Sequence, residues 1–380
     1  MKSSEKKISD KSGAAKKSAG TKSTAKKAVP GSSLLQKVKH EDIRVIGHDD
    51  VLRFFSQVYR DHHLGHAYLF LGPRGVGKYT TALALSQLWL CQNPKLDEMP
   101  FQPCQQCADC ALWRVRAHPD LIIMQKPEDT LEMPIESIRN LASQLALKPI
   151  RCPRRIAILD QADLMNESSA NAFLKTLEEP PAHSILILIG GSSREQHLAT
   201  ILSRCQIISF SPLNKADIKN YLRQNGEIQI DRIEKILELS GGSIGRAVQL
   251  SSDPFWKFRE ELLHLLATYP VPGLQLGKYW LQFVQSAGSE GSKQRECAHV
   301  TIQIYIDLLR SAVLLAVNGA QEKAVANSVE ASKIKEISMR YTPDQLLEWM
   351  DQALRADFQI DAMVTLALLI ESLADSLMAS

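Results

Sequence analysis

The stretch from Tyr68 to Thr80 reads Y-L-F-L-G-P-R-G-V-G-K-Y-T. Four apolar residues, Tyr68 to Leu71, run into a glycine-rich turn, and a helical pattern from Lys78 to Leu90 follows. This strand–loop–helix order is what a P-loop requires: Gly72, Gly75 and Gly77 let backbone N–H groups close around phosphate oxygens, and Lys78 supplies a cation. The position after the lysine departs from the pattern. It calls for a Ser or Thr hydroxyl on Mg²⁺ and holds Tyr79, whose phenol is too long and too apolar for a tight octahedral shell. Thr80 comes one residue late, about 100° further round the helix. The loop is therefore built like a nucleotide site without a working metal ligand. Efficient ATP hydrolysis by this chain is not expected, and its occupancy by nucleotide stays open.

Working outward, strands and helices alternate from 43 to 210. Leu121–Met124, Arg155–Asp160, Ser184–Ile189 and Gln206–Phe210 read as further strands, continuous apolar runs of the kind that a parallel sheet covered on both faces needs. The third strand ends on Asp160, where a Walker B carboxylate would orient Mg²⁺, and the next residue is Gln161 in place of a glutamate. An amide cannot take up the attacking water's proton. Between P-loop helix and second strand lie Cys91, Cys104, Cys107 and Cys110, spaced C-x₁₂-C-x₂-C-x₂-C. Two successive knuckles and a fourth thiolate suit a closed tetrahedral shell, so a structural Zn²⁺ is expected rather than a catalytic metal.

After Pro212 strand signals vanish. Helices are expected over 214–224 and 230–240, and Gly241-Gly242-Ser243-Ile244-Gly245-Arg246 opens a third. The remainder reads as helical, with a Gly/Ser-rich linker near 286–294 and an N-cap at Thr342 followed by Pro343. The expected division is a tail over 1–35, an α/β core over 36–211 with the Cys₄ insertion at 91–110, a helical lid over 212–252 and a helical collar over 253–380.

Bulk composition bounds the function. The formal charge of +3 conceals a basic tail, since residues 1–30 hold nine lysines against Glu5 and Asp10. So polar a tail cannot bury enough surface to order itself, and it is read as disordered: a DNA-phosphate arm or a solubilising segment. Seven cysteines, three of them crowded between 104 and 110, fit a reducing cytoplasm better than a disulfide framework. No run of about 20 uninterrupted apolar residues is found, Met363–Ile370 coming closest, so no membrane association is expected.

The P-loop, the Cys₄ insertion, the Walker B strand and Ser203-Arg204-Cys205 together resemble the clamp-loader subunits of bacterial DNA polymerase III, of the AAA+ class. The resemblance rests on H-A-Y-L-F-L-G-P-R-G-V-G-K (66–78), N-A-F-L-K-T-L-E-E-P-P (171–181) and T-I-L-S-R-C-Q (200–206), covers roughly 43–250, and is weaker over the collar. It implies an AAA+ core and a place in a pentameric ring with gamma/tau and delta subunits, which loads the beta clamp onto primed DNA. It also implies that the four cysteines are the zinc module, that Arg204 is an arginine finger reaching a neighbour's ATP, and that Arg246 falls near the sensor-2 position. Tyr79 and Gln161 make the chain similar to the non-hydrolysing delta-prime branch. An ATP-hydrolysing gamma/tau-type motor is the alternative, and a zinc-dependent DNA-binding module is weaker because the Cys₄ segment carries little basic charge.

Overall fold

The computed structural model describes residues 43–378 apart from 98, 128–129, 131, 192–197, 226–229, 319–328 and 363, so the lysine-rich tail lies outside the described residues. Five strands form one parallel sheet: β1 (Ala67–Leu71), β2 (Leu121–Met124), β3 (Arg155–Leu159), β4 (Ser184–Ile189) and β5 (Gln206–Ser209), in the order β2-β3-β4-β1-β5. β1 sits between β4 and β5, with Leu69 opposite both Leu188 and Ile207. This is the parallel α/β sheet that the alternating strands and helices predict.

Because side chains alternate across a strand, each apolar run feeds two cores. Tyr68, Phe70, Ile156, Ile158 and Ile187 face one way, against Phe55 of α1 (Asp49–Arg60), Leu85, Leu88 and Trp89 of α2 (Lys78–Leu90), and Trp113 of α3 (Ala108–Arg114). Leu69, Ala157, Leu159 and Leu188 face the other, against Ile138 and Leu141 of α4 (Ile135–Leu145), Phe173 and Leu177 of α5 (Glu167–Glu178), and Ile201 of α6 (Ala199–Leu202).

The helical remainder comprises α7 (Lys215–Asn225), α8 (Ile230–Leu239), α9 (Ile244–Leu250), α10 (Asp253–Ala267), α11 (Gly273–Gln285), α12 (Gly291–Asn318), α13 (Val329–Arg340), α14 (Pro343–Asp361) and α15 (Leu366–Ser376). Its apolar core is continuous from Leu213 to Leu377, so α7–α9 and the later helices share one interior. α14 starts as the sequence requires: Thr342 Oγ1 accepts from the Gln345 amide at 3.3 Å, and Gln345 Oε1 accepts from the Thr342 amide at 3.0 Å. Two expectations change. The linker near 286–294 is shorter, because α12 already begins at Gly291. That helix, rather than Met363–Ile370, is the segment long and apolar enough by composition to cross a bilayer. Its length escapes a search for uninterrupted runs because Arg295, Glu296, His299, Asp307 and Arg310 punctuate it. Here it packs Ala298, Ile302, Tyr305 and Leu309 into the helical core, and Trp280 Nε1 donates to Thr301 Oγ1 at 2.8 Å.

One buried ion pair fixes the segment between α4 and β3. The Asp120 carboxylate, fully buried at the start of β2, accepts the backbone N–H groups of Ile150, Arg151 and Cys152 at 2.7, 2.7 and 3.0 Å. Arg155 faces it at 3.5 Å and also donates to the Gln144 carbonyl at 2.6 Å. Burial pushes the Asp120 carboxyl up, but the three amides outweigh it and hold it below the usual carboxylate range. Asp120→Ala strands three amides and a buried guanidinium at about 1–3 kcal/mol for each unsatisfied group, and urea unfolding is expected to show a loss of about 3 kcal/mol or more.

Candidate nucleotide and metal sites

The P-loop connects the C-terminal end of β1 to α2, at the edge of an α/β sheet where ligands bind. Gly72 and Gly75 adopt positive φ of 154° and 71°. A methyl group at Gly72 would lie 2.4 Å from the Phe210 carbonyl oxygen, and one at Gly75 would lie 2.4 Å from Ser243 Oγ, so neither position admits a side chain. His48 Nε2 donates to the Val76 carbonyl at 2.8 Å, and its ring meets Phe210 edge-on at 4.7 Å. Lys78, buried, turns back on its own loop and donates to the Gly72 carbonyl and, at 2.8 Å, to that of Pro73. Burial lowers its ammonium to about 8, against the opposing pull of Asp163 and Asp160.

The turn that opens α9 touches this loop directly. Gly245 N–H donates to the Gly75 carbonyl at 3.0 Å, and Ser243 caps α9 by accepting from the Arg246 amide at 3.2 Å. Arg246 is thus on the helix whose first turn meets the P-loop. Its guanidinium is lowered by burial and steadied by the charge of Asp357 on α14. Thr80 follows on α2, half-buried. Tyr79 packs its ring against the apolar core beside α2, and burial raises its phenol. A half-buried phenol at this position does not fit the Mg²⁺ ligand set of a P-loop. Asp160 closes β3: Oδ2 accepts from Gln125 Nε2 at 3.3 Å and Oδ1 from the Gln161 amide at 3.0 Å. Its carboxyl is raised, chiefly by burial. Gln161 sits at φ 58° and opens a 3₁₀ turn over Ala162–Leu164. Asp160 therefore lies near Lys78 of the P-loop and the first turn of α9 meets the loop through Gly245, whereas the guanidinium of Arg246 is set against Asp357 and Arg204 lies elsewhere, at the end of α6.

The four cysteines also converge. The Sγ atoms of Cys91 and Cys107 are 3.9 Å apart, and those of Cys104 and Cys110 are 4.0 Å apart. A tetrahedron with Zn–S bonds of about 2.3 Å has edges of about 3.8 Å, so the donor set fits zinc. Three amides point at the sulfurs: Cys104 N to Cys91 Sγ at 3.2 Å, Cys107 N to Cys104 Sγ at 3.3 Å and Cys110 N to Cys107 Sγ at 3.4 Å. Amide donors, the Gln106 N–H foremost, bring the Cys104 thiol down to about 6, while burial raises Cys91 and Cys110.

Beside this cluster is a group that the sequence reading missed. Asp109, His118 and Cys152 bring three ligand-type atoms within 4.8 Å of one another. His118 Nε2 lies 3.4 Å from Asp109 Oδ1 and 3.6 Å from Cys152 Sγ. The Asp120 amide, however, donates to His118 Nδ1 at 3.1 Å. Nδ1 must then be the bare nitrogen and Nε2 the protonated one, which bars Nε2 from a metal. Arg151 Nε and Gln92 Nε2 fill the Asp109 carboxylate at 2.6 and 2.7 Å. The group is a polar anchor that ties α3 to the sheet. His118 and Asp120 come just before a strand and carry no motif, so only the long-range pairing with 150–152 could have revealed them.

Residues 47–214 match the family model described as DNA polymerase III, delta subunit. The chain is 25% identical over 319 residues to the DNA polymerase III subunit delta' of Bacillus subtilis, covering 84% of this chain and 92% of that one. In both respects the chain is similar to delta-type subunits of DNA polymerase III. With the Escherichia coli delta' subunit it shares 31% identity over 207 residues, 54% of this chain and 60% of that one. The tau subunit of Bacillus subtilis is 29% identical over 245 residues, 62% of this chain and 42% of that one. The chain thus spans nearly all of the Bacillus delta' relative but under two thirds of the other two.

Two outcomes are expected of these sites. Purified without chelator, the chain should carry one zinc by elemental analysis, and Cys107→Ser should release it with a fall of a few degrees in melting temperature. The fall is local because Phe101 and Trp113 keep the module in the sheet's own apolar core. The second concerns Lys78, whose folded-state value of about 8 is depressed below the unfolded one. Between about pH 8 and 10.5 the unfolded chain binds more protons, so stability rises with pH across that window. In urea unfolding, the wild type should gain up to about 3 kcal/mol on Lys78→Met over this range and show no relative change below pH 7.

Proposed function

We propose that the chain, a clamp-loader subunit of the DNA polymerase III family, serves as the non-hydrolysing stator of its ring. In this reading it assembles in the cytoplasm with gamma/tau and delta subunits, and the ring loads the beta clamp onto primed DNA. The residues over 36–211 form the AAA+ core, 212–252 the lid and 253–380 the oligomerising collar, with 1–35 as a lysine-rich tail. Cys91, Cys104, Cys107 and Cys110 hold a structural Zn²⁺. Arg204 reaches the ATP of the neighbouring gamma/tau subunit.

The observation that carries the stator reading is Tyr79. The residue that should offer a hydroxyl to Mg²⁺ instead offers its ring to the core, at the first turn of the P-loop helix. Gln161 supports the same conclusion, because it replaces the base that a hydrolytic site needs. The finger role is supported by the position of Arg204 just beyond α6, away from this chain's own P-loop and a third exposed. A planar guanidinium on a γ-phosphate neutralises charge as the bond to the leaving group breaks.

Reconstituted rings test both halves. The isolated chain should turn over ATP far below the ~1 s⁻¹ low end of ordinary enzymes. Arg204→Ala should assemble normally and cut clamp- and DNA-stimulated hydrolysis at the one motor site it faces, by ~10³-fold or more, while other sites continue. Robust turnover by the isolated chain would instead favour a gamma/tau-type motor. Unchanged hydrolysis and clamp loading in rings carrying Arg204→Ala would reduce this residue to a surface charge.

A further inference from the structure

Arg204 does not hang free from the end of α6. Its Nη1 donates to the Thr200 carbonyl and to Ser203 Oγ, both at 3.0 Å, and its Nη2 donates to Glu178 Oε1 at 2.6 Å. Three acceptors from one subunit fix the plane of the guanidinium. Among the described residues, Nε–H has no acceptor, which leaves a charged donor that a phosphate oxygen can take. Resting on the finger reading above, we propose that Glu178 is the positioning residue of Arg204: it holds the guanidinium, before any neighbour docks, in the plane in which it meets the neighbour's nucleotide.

The backbone on both sides of the contact is fixed by the core. Glu178 is the last residue of α5, one position after Leu177 and five after Phe173, both buried under the sheet. Arg204 lies two residues beyond α6, whose Ile201 is buried in the same cluster. The carboxylate therefore meets the guanidinium from a rigid helix end and not from a loose loop. Its placement is electrostatically unfavourable for α5 itself, because the C-terminal end of a helix carries partial negative charge and disfavours an acid there. Nor does the pair do much for stability: the side chains are 32% and 50% exposed, and exposed ion pairs contribute little. Pre-ordering the guanidinium is the use that remains. A long side chain must lose its rotamer freedom before it can stabilise a transition state, and a small displacement of a charged group costs rate steeply.

The test uses complete reconstituted rings with Glu178→Ala, Glu178→Gln, Arg204→Ala and the double variant, each checked for assembly by gel filtration. Glu178→Ala is expected to lower kcat of the stimulated ATPase at the affected site on the order of tenfold, with KM for ATP unchanged. Glu178→Gln keeps an acceptor oxygen and should retain most of the rate. Glu178→Ala combined with Arg204→Ala should be no slower than Arg204→Ala alone, since one acts through the other. If Arg204→Ala is slow while Glu178→Ala equals or exceeds wild type, the positioning role is overturned and the finger stands. A double variant slower than Arg204→Ala overturns it too, because Glu178 would then act independently. If Arg204→Ala itself runs at the wild-type rate, the finger reading fails and the positioning role falls with it.

Discussion

Parallel pairing of one short strand on both of its edges is the constraint on which the rest of this molecule depends. β1 has five residues, all buried, hydrogen-bonded to β4 on one side and β5 on the other. Strands buried on both faces are apolar nearly throughout, and the one polar group within β1, the Tyr68 phenol, is taken up locally by the Gly65 amide at 2.6 Å. The site residues expected from the sequence accordingly stand at the ends of the strands. Gly72 follows β1, Asp160 follows β3, and Arg204 stands just before β5. Phe210, following β5, closes against the Gly72 backbone so tightly that only glycine fits.

The P-loop that results is supported by its own subunit rather than left open. His48 holds the Val76 carbonyl, Lys78 holds those of Gly72 and Pro73, and Gly245 holds that of Gly75. These donors come from the segment before α1, from the loop's own lysine and from the lid. The lid in turn shares its apolar interior with the long helices α10 to α15, so the loop is coupled through packed side chains to the helical region. Asp357 of α14 extends that link, accepting from Gln303 at 3.0 Å, lying 2.8 Å from His299 Nδ1 and steadying Arg246.

The Cys₄ module shows how an insertion is fastened. Metal-type ligands alone would tie α3 to the end of α2 and no further. Trp113 adds a 2.9 Å hydrogen bond to Ser86 and a buried ring, and the Asp109–Arg151 pair reaches across to the segment before β3. Sulfur, apolar burial and a buried polar network each fix a different edge of the same small body.

Local pattern alone determined the strand positions, the P-loop helix from Lys78 to Leu90, the Cys₄ spacing and the Thr342 cap, because each is set by neighbours within a few residues: apolar periodicity, glycine freedom, knuckle spacing and capping. The departures at Tyr79 and Gln161 were equally legible, since a missing hydroxyl or carboxylate can be read from residue type. Tertiary structure decided what depends on long-range pairing. The ring of Tyr79 packs against the core, Asp120 gathers the amides of residues 30 positions away, and Glu178 takes the guanidinium of Arg204 from a different helix. His118 offers the plainest case. Its residue type permits a metal, and only the amide of Asp120 at Nδ1 forbids one. Which nitrogen carries the proton is settled by what lies opposite it in space, and the order of residues along the chain does not contain that information.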